Sequence, residues 1–401
     1  MLRREEDFKV QLATLEKELL QALATSEVNL LENTSLIESL SRTKEKSAEI
    51  EEALVLSAKA SIMLDEQREV YRPFANAGSK LFFLVKSLQV VSHMYQFSLS
   101  SFLGLFKQTL SADMTARTTE DRLNLLCADL EVKVLHFMGR AMFKTDRPMF
   151  GLHLVKGMHG DHFQPKEWEV FTGSLVASVS DAVPRGYPTW APAERQAAFR
   201  LLSENLPHLI NSLELDNASK WQRFASSLEA EKDLPILRGV SPFQRVLVMQ
   251  AFRPDRLQTA LLTFCTDLLR TDSVSPPPLS LSSLYAESSP SSPLLLISSP
   301  GADASKELQE YAAKTVGAGN YEELAMGGGQ QDFAMQMLRT AAAQGTWLCL
   351  KNLHLVVAWL PSLEKELTSL EPHKDFRLWL TSEAHNCFPS ILLQQSLKAT
   401  F

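Results

Sequence analysis

The chain has 401 residues, a formal net charge of −7 and 45% hydrophobic residues, so it is long enough for two or three domains with sizeable cores. The acidic balance argues against a dedicated nucleic-acid surface, and no apolar run is long enough to span a bilayer, so we predict neither nucleic-acid binding nor membrane insertion. The four cysteines are far apart and lack metal-ligand spacing, which favours reduced thiols in a cytosolic protein.

Residues 5–70 have helical periodicity and are nearly free of glycine and proline. A first apolar stripe recurs at steps of three and four residues, as in a coiled-coil seam. Its members are Phe8, Leu12, Leu15, Leu19 and Leu23. A second stripe consists of Leu36, Leu40, Ile50, Leu54 and Ile62. The pattern predicts an antiparallel coiled-coil hairpin over residues 1–70 with its tip near residue 33; one continuous helix packed on a globular body is the alternative.

The next part of the chain, residues 71–271, is predicted to be mostly helical. We expect helices at 78–91, 95–110, 118–143, 193–214 and 241–270, and a structured loop at 184–192. Within the last helical segment, Arg253, Asp255 and Arg256 surround a proline and interrupt the apolar pattern. A rigid turn with charges of both signs suits an interface between modules, and it suits a local helix cap with internal salt bridges equally well.

The composition changes after residue 271. Residues 272–293 are rich in serine and proline and are predicted to be a linker. In residues 294–401, strands predicted at 294–298, 322–326, 346–350 and 376–381 alternate with helices at 305–317, 330–344, 356–370 and 389–398. Strands separated by single helices predict a parallel sheet with helices on both faces. The predicted fold class is therefore α+β and multi-domain, with a coiled-coil hairpin, a helical connector and a C-terminal α/β core.

The first predicted strand runs into a small-residue loop and then a helix, which is the arrangement of a phosphate-binding loop. A working loop needs two glycines, a lysine and a hydroxyl at fixed spacing. With Lys306 in the lysine position, Pro300 and Ser305 stand in the glycine positions, and Glu307 replaces the hydroxyl that holds magnesium. Gly301 is the one glycine in this loop. Because a proline offers no N–H to a phosphate, and Glu307 adds negative charge, we interpret the loop as degenerate.

A nucleotide site also needs an apolar strand that ends in Asp or Glu. The candidate strand at 347–350 is followed instead by Lys351 and Asn352, and a lysine in this position would repel Mg²⁺. The loop and the strand end therefore both lack residues that a working nucleotide site needs. The defects indicate an ATPase scaffold kept for its shape, with no catalytic residues in this segment; a generic α/β domain is the alternative.

Other polar patterns favour structural interpretations. The three glycines at 327–329 lack a following lysine and hydroxyl, and they predict a strand-to-helix turn. His159 and His162 have no further ligands at workable spacing, so no metal site is predicted. We find no nucleophile elbow and no Cys/His pairing suited to covalent catalysis.

The chain resembles the dynein heavy chain motor family, and within it the branch that serves intraflagellar transport. The matching segments run nearly from end to end and in the family's order. They are residues 29–33, 46–50, 71–73, 94–99, 253–256, 299–303, 347–355 and 376–381. Both ends of the chain are abrupt, and the family's first four modules, stalk, linker and tail are not represented, so the resemblance implies a fragment of a longer motor.

The resemblance also implies a place for each part of the chain. Residues 1–70 correspond to the buttress, a coiled coil that projects from the fifth AAA+ module and touches the stalk. Residues 71–271 correspond to that module's small subdomain and connector, and residues 294–401 to the large part of the sixth module, which does not hydrolyse ATP in this family. No cofactor is implied in this segment, whereas other modules of the parent motor use Mg-ATP.

The function implied by the resemblance is mechanical. The hairpin would transmit ring closure to the stalk of a minus-end-directed motor that returns cargo along cilia, and the inert module would close the ring. The implied partners are the rest of the motor ring and stalk, the other subunits of the dynein complex and microtubules, in the cytoplasm, cytoskeleton and cilium. Two alternatives stay open: an autonomous nucleotide-binding protein that uses residues 294–307, and a free-standing coiled-coil adaptor.

Overall fold

The computed structural model describes residues 10–11, 13–14, 17, 20–21, 34–180, 182–235 and 238–401. The chain divides into two compact units, Met1–Asn76 and Ala77–Phe401. No helix among the described residues has both the length and the apolar character needed to cross a membrane.

The first unit contains the 37-residue helix α1, Thr34–Val70. The proposed seam residues Phe8, Leu12, Leu15, Leu19 and Leu23 lie outside the described residues, as do the side chains of Leu36 and Leu40. Ile50 and Leu54 are half-buried, whereas Ile62 is 60% exposed. The antiparallel hairpin therefore stays a prediction, and Ile62 does not share the burial of the two seam residues before it.

Helix α2, Arg72–Ser87, contains the boundary between the two units and continues into a short 3₁₀ turn, Leu88–Val90. Between this turn and the sheet, the described residues form ten further α-helices. They are α3 Leu99–Leu110, α4 Thr119–Gly139, α5 Arg147–Met158, α6 Pro165–Thr172, α7 Gln196–Asn205, α8 Pro207–Ser212, α9 Ala218–Ser226, α10 Pro242–Phe252, α11 Leu257–Leu269 and α12 Leu281–Glu287.

Local chemistry explains where several of these helices begin. The side chains of Ser98 and Thr118 accept hydrogen bonds from backbone N–H groups in the first turns of α3 and α4, which satisfies donors that a helix start leaves open. Ser241 and Gln244 form a reciprocal capping box at the start of α10. The helix predicted at 95–110 therefore begins later than predicted, at Leu99, directly after its cap Ser98.

Three sequence predictions in this region were incomplete. The predicted helix at 193–214 is broken between α7 and α8, because Pro207 has no N–H with which to continue the first helix. Helices α5, α6 and α9 lie in stretches for which no helix was predicted. Helix α12 lies within the predicted serine-proline linker, where Ser280 caps its first turn and Leu284 is buried in the core beside the sheet.

A five-stranded parallel sheet organises the C-terminal part of the chain, as the alternation of strands and helices predicted. Its elements are β1 Leu294–Ser298, α13 Ser305–Thr315, β2 Tyr321–Ala325, α14 Gln331–Gln344, β3 Trp347–Lys351, α15 Leu360–Ser369, β4 Arg377–Glu383, α16 Ser390–Gln395 and β5 Leu397–Thr400. The strand order is β2-β3-β4-β1-β5, and every pairing is parallel.

The three central strands are buried on both faces, which explains why β1 and β3 appear in the sequence as continuous apolar runs. One face of the sheet packs its largest side chains, Trp347 and Trp379, beside Leu308 of α13. The two indole rings are 5.6 Å apart between centroids. This packing holds α13 against the face of the sheet that carries Trp347 and Trp379.

The predicted helix at 389–398 was wrong in its last residues. Helix α16 ends at Gln395, and residues Leu397–Thr400 form the edge strand β5, paired with β1. The N–H of Leu397 donates to the carbonyl of Pro293 at 2.8 Å, and the N–H of Phe401 donates to Ile297 at 2.8 Å. These partners are about a hundred residues away along the chain, so local periodicity does not indicate the strand.

Candidate functional site

The candidate site lies at the carboxyl ends of the strands, where the direction of the strand order changes. Strand β1 lies between β4 and β5, and the chain leaves it toward β2 at the far edge of the sheet. In open α/β sheets, ligands bind in the crevice at such a switch point. The loop that enters this crevice is the degenerate phosphate loop, residues 299–304, which precedes α13.

The loop is closed by its own hydrogen bonds. The N–H of Ala302 donates to the carbonyl of Ser299 at 2.9 Å, and Gly301 takes the left-handed conformation, with φ of 83°. That conformation is the reason for a glycine at this point. Pro300 and Gly301 are exposed, so the one retained glycine serves a turn between strand and helix.

Asp303 occupies the start of α13. Its Oδ1 accepts a hydrogen bond from the N–H of Ser305 at 2.8 Å. The pKa of the Asp303 carboxyl is held below its usual range by Ser305, through its side chain and then its N–H, and by the positive charge of Lys351. The N-terminus of a helix is where a phosphate-binding loop presents its ligand, and here a carboxylate of the chain lies at that N-terminus.

The other candidate residues of the loop differ in burial. Ser305 is buried, at 7% exposure, whereas Lys306 and Glu307 in the first turn of α13 are exposed. Among the described residues, the side chain of Lys306 forms no hydrogen bond and no ion pair. Its position therefore provides a solvent-facing charge, and the geometry gives it no phosphate cradle.

The end of β3 carries a positive charge held by a neighbouring carboxylate. Nζ of Lys351 lies 3.0 Å from Oε1 of Glu323 on β2, the adjacent strand. Asn352 takes a left-handed conformation, with φ of 61°, and its N–H donates to Oγ1 of Thr381 at the end of β4, at 3.2 Å. Lys351 and Asn352 are thus each paired with a neighbouring strand, and an ammonium lies at the strand end where a working site places a carboxylate.

The charged turn between α10 and α11 is internally paired. Arg253 donates to both carboxylate oxygens of Asp255 and to the carbonyls of Phe224 and Ala225 at the end of α9. Arg256 donates from Nε to Oε2 of Glu231 at 3.0 Å. This geometry provides the local cap with internal salt bridges; an interface role for Arg253, Asp255 and Arg256 stays a prediction.

His159 and His162 line a groove in the second unit. This groove has a volume of about 860 Å³ and is lined by residues of α4, the end of α5 and the end of α11, away from the sheet edge. Nε2 of His159 lies 2.8 Å from Oε2 of the buried Glu131. Among the described residues, no group of three or more His, Cys, Asp or Glu side chains is arranged to hold a metal ion.

Sequence reasoning selected Ser305, Lys351 and Asn352 but missed the residues to which they are hydrogen-bonded. Asp303, Glu323 and Thr381 were not selected. Asp303 stands two residues before the first helical residue, a spacing typical of an aspartate that binds a helix-start N–H, and this signal was available in the sequence. Glu323 was not, because its pairing with Lys351 depends on the register between β2 and β3.

Comparison with known proteins gives matches to one family. Residues 289–400 match the family model described as the dynein heavy chain region D6 P-loop domain, and residues 1–50 match the model of the ATP-binding dynein motor region. The chain is 46% identical over 409 residues to human cytoplasmic dynein 2 heavy chain 1, covering 100% of the chain and 10% of that protein. The identity is 45% over 405 residues to its Chlamydomonas reinhardtii counterpart, covering 100% of the chain and 9% of that protein.

A more distant relative is human dynein axonemal heavy chain 10, which is 33% identical over 409 residues. That match covers 99% of the chain and 9% of the relative. The chain therefore spans about a tenth of the length of the relatives it matches.

Proposed function

We propose that this chain, which belongs over its whole length to the dynein heavy chain family, is a mechanical and structural segment of a dynein 2 type motor. Its α/β module closes a ring of AAA+ modules without hydrolysing ATP. The names of the relatives and of the matching model are those of dynein heavy chains and of an ATP-binding dynein motor region. In this proposal the parent is a microtubule motor that hydrolyses Mg-ATP at other modules. The pairing of Lys351 with Glu323 at the end of β3 is the observation that carries this proposal.

The chemical reason is that ATP hydrolysis needs Mg²⁺ bridging the phosphates and an acid at the strand end to hold it. At this edge the ammonium of Lys351 stands in the place of that acid, and its positive charge repels Mg²⁺. The loop opposite adds the carboxylate of Asp303 at the helix N-terminus, which repels a phosphate. Both changes oppose the same ligand, so the module keeps the scaffold of a nucleotide site without its chemistry.

The similarity to dynein heavy chains supports a proposal for the wider role. We infer that the chain works with the rest of the motor ring and stalk, the accessory subunits of a dynein complex and microtubules, in the cytoskeleton and cilium. In this role the parent motor carries cargo toward microtubule minus ends and serves retrograde intraflagellar transport and cilium assembly. Residues 1–70 form the buttress in this proposal and transmit changes of the ring to the stalk.

Calorimetry with Mg-ATP and Mg-ADP on the 401-residue chain tests the inert module. We expect no saturable heat up to millimolar nucleotide. Saturable binding at micromolar concentration that is lost in Lys306→Ala would overturn the proposal and favour an autonomous nucleotide-binding protein.

The mechanical role needs the whole parent motor. A charge placed in the proposed seam, as Leu15→Glu or Leu19→Glu, is expected to uncouple microtubule binding from ATP hydrolysis. The readout is microtubule-stimulated ATPase, with basal ATPase as the control for intact catalytic modules. Stimulation equal to that of the unmodified motor contradicts the role of residues 1–70 as a transmitting hairpin.

A further inference from the structure

Lys398 is a buried charged residue that the proposed function does not use. It lies in β5, the edge strand of the sheet, and its residue exposure is 3%. Lysine is almost never fully buried unless it is paired. Its surroundings therefore require an explanation.

The partners of Lys398 are two backbone carbonyls and an aromatic ring. Nζ donates to the carbonyl of Leu393 in α16 at 2.8 Å and to the carbonyl of Gln96. It also lies 4.2 Å from the centroid of the Phe97 ring. No ion pair between Lys398 and a carboxylate occurs among the described residues. The ammonium is thus held by carbonyl oxygens and a ring face, which are weaker partners for a charge than a carboxylate.

These contacts join two parts of the second unit that are far apart in sequence. Gln96 and Phe97 belong to the segment that precedes α3, about three hundred residues before β5. A second connection lies two residues further along β5, where the N–H of Thr400 donates to the carbonyl of Arg140 at 2.7 Å. Arg147 also donates to Oγ1 of Thr400 at 3.1 Å. The edge strand is therefore attached to the helices at both Lys398 and Thr400.

We propose that Lys398 is a joint residue that fixes β5 to the segment of residues 93–98, so that the sheet and the helical part of the unit carry load as one body. The joint itself follows from contacts of this chain. Only its use in transmitting load rests on the mechanical function proposed above.

The joint is sensitive to protonation. Burial lowers the pKa of Lys398 to about 7. The titratable groups in the segments packed against it are His93, whose Nε2 lies 2.7 Å from the carbonyl of Phe388, and Tyr95, whose hydroxyl donates to Asp146. Arg147 contributes a fixed positive charge at Thr400, and β1 and α16 carry no ionisable side chain.

A neutral lysine keeps two N–H donors, enough for both carbonyls, and it carries no buried charge. The joint is therefore tighter above pH 7 than below it. Since opening the joint lets Lys398 take up a proton from water, its opening constant is expected to fall about tenfold per pH unit between pH 7 and pH 9.

Amide hydrogen exchange on the 401-residue chain tests the joint. The reporting amides are those of Tyr95, which donates to Ser92 beside the joint, Leu397, which donates to Pro293 next to β1, and Thr400, which donates to Arg140 in the helical part. In Lys398→Met at pH 9, where Lys398 of the unmodified chain is neutral in the closed joint, the main change is that two buried carbonyls lose their donor, so these amides are expected to exchange about 10- to 100-fold faster than in the unmodified chain. Lys314→Met, at an exposed site in α13, is the matched control and should leave all three rates unchanged.

Equal exchange in a folded Lys398→Met chain and in the Lys314→Met control overturns the proposal. If Lys398→Met fails to fold, Lys398→Gln, which keeps an N–H donor without the charge, is measured instead, and the same comparison decides. The pH profile of the unmodified chain is a second test that needs no variant. An opening constant that, after correction for intrinsic exchange, stays the same between pH 7 and pH 9 also overturns the proposal. If Lys398→Met speeds exchange but leaves the coupling of microtubule binding to ATP hydrolysis unchanged in the parent motor, the joint stands and only its role in transmitting load is contradicted.

Discussion

Nζ of Lys351 and Oε1 of Glu323 are 3.0 Å apart, so the last residue of β3 forms an ion pair with the neighbouring strand β2. The two side chains are 20% and 35% exposed, which places the pair at the rim of the crevice. The Lys351 ammonium also contributes to the low pKa of the Asp303 carboxyl across the crevice. One lysine therefore balances negative charge from both β2 and the loop after β1.

Reversal of the Lys351 charge should measure this balance. Lys351→Glu would bring a third carboxylate beside Glu323 and Asp303, and we expect a loss of about 1 kcal/mol in the free energy of unfolding, since the pair is partly exposed. The double variant Glu323→Lys/Lys351→Glu should recover most of that loss, because it restores the pair with opposite polarity. Urea unfolding of both single variants and the double variant gives the coupling energy. Additive effects would show that the pair contributes no stability.

Gly345 ends α14 in a left-handed conformation, with φ of 79°, and a Cβ at this position would lie 2.4 Å from Nδ1 of His373. Gly345→Ala is therefore expected to cost about 1–3 kcal/mol of unfolding free energy, from backbone strain and from the displaced imidazole. Gly319→Ala is the matched control, because Gly319 has no positive φ and a Cβ there meets open space. Thermal unfolding compares the two; equal midpoints would mean that the turn adapts at no cost.

The contrast between β1 and β5 shows what local sequence specifies. Strand β1 was predicted with its observed bounds, because four consecutive apolar residues are bounded by prolines and both of its faces are buried. Strand β5 has a lysine in its centre, whose burial is made tolerable by the carbonyls of Gln96 and Leu393 and by the ring of Phe97. The first of these partners comes from a segment about three hundred residues earlier, which no local pattern identifies.

The same distinction applies to the site. Absent residues, such as the acid missing at Lys351, could be identified by comparing the chain with the requirements of nucleotide chemistry. The pairing of Glu323 with Lys351 could not, because the two residues meet only after the sheet has formed. Glu323 precedes Lys351 by 28 residues, and the strand register alone makes them neighbours.

Glu231 should make stability depend on pH on the acid side. A side-chain hydrogen bond from Arg256 holds the pKa of the Glu231 carboxyl below its ordinary value of 4.5. A lowered folded pKa gives stability that is fully present above pH 4.5 and is lost as the pH falls through the folded value. Glu231→Gln is expected to lower stability at pH 7 by about 1 kcal/mol and to reduce the loss below pH 4.5.

The control for this prediction is Glu322→Gln, at an exposed position of β2. Urea unfolding at pH 7 and at several values below pH 4.5 should show the acid-side loss in the control and in the unmodified chain alike. If the free energy of unfolding falls as steeply below pH 4.5 in Glu231→Gln as in Glu322→Gln, other carboxylates cause the pH dependence.

Lys398 should make global stability rise with pH on the alkaline side. Its pKa is lowered from 10.5 to about 7 because the side chain is buried. Between these two values the unfolded chain holds a proton that the folded chain does not, so the unfolding free energy should increase with pH, by at most about 1.4 kcal/mol per unit. Below pH 7 both states are protonated, and this contribution becomes constant. Measurements between pH 7 and pH 9 precede the titration of ordinary tyrosines.

Lys398→Met removes the titrating group and should therefore flatten the rise between pH 7 and pH 9, whereas Lys314→Met should keep it, since Lys314 is exposed. Methionine fills a similar volume without a charge, so its stability relative to the unmodified chain should be highest below pH 7, where the buried ammonium is most costly. Two carbonyls lose their donor in the same variant, and that loss is independent of pH. The slope of the unfolding free energy against pH therefore reports the charge alone and not the hydrogen bonds. A rise between pH 7 and pH 9 that is as steep in Lys398→Met as in Lys314→Met would mean that Lys398 is not the titrating group.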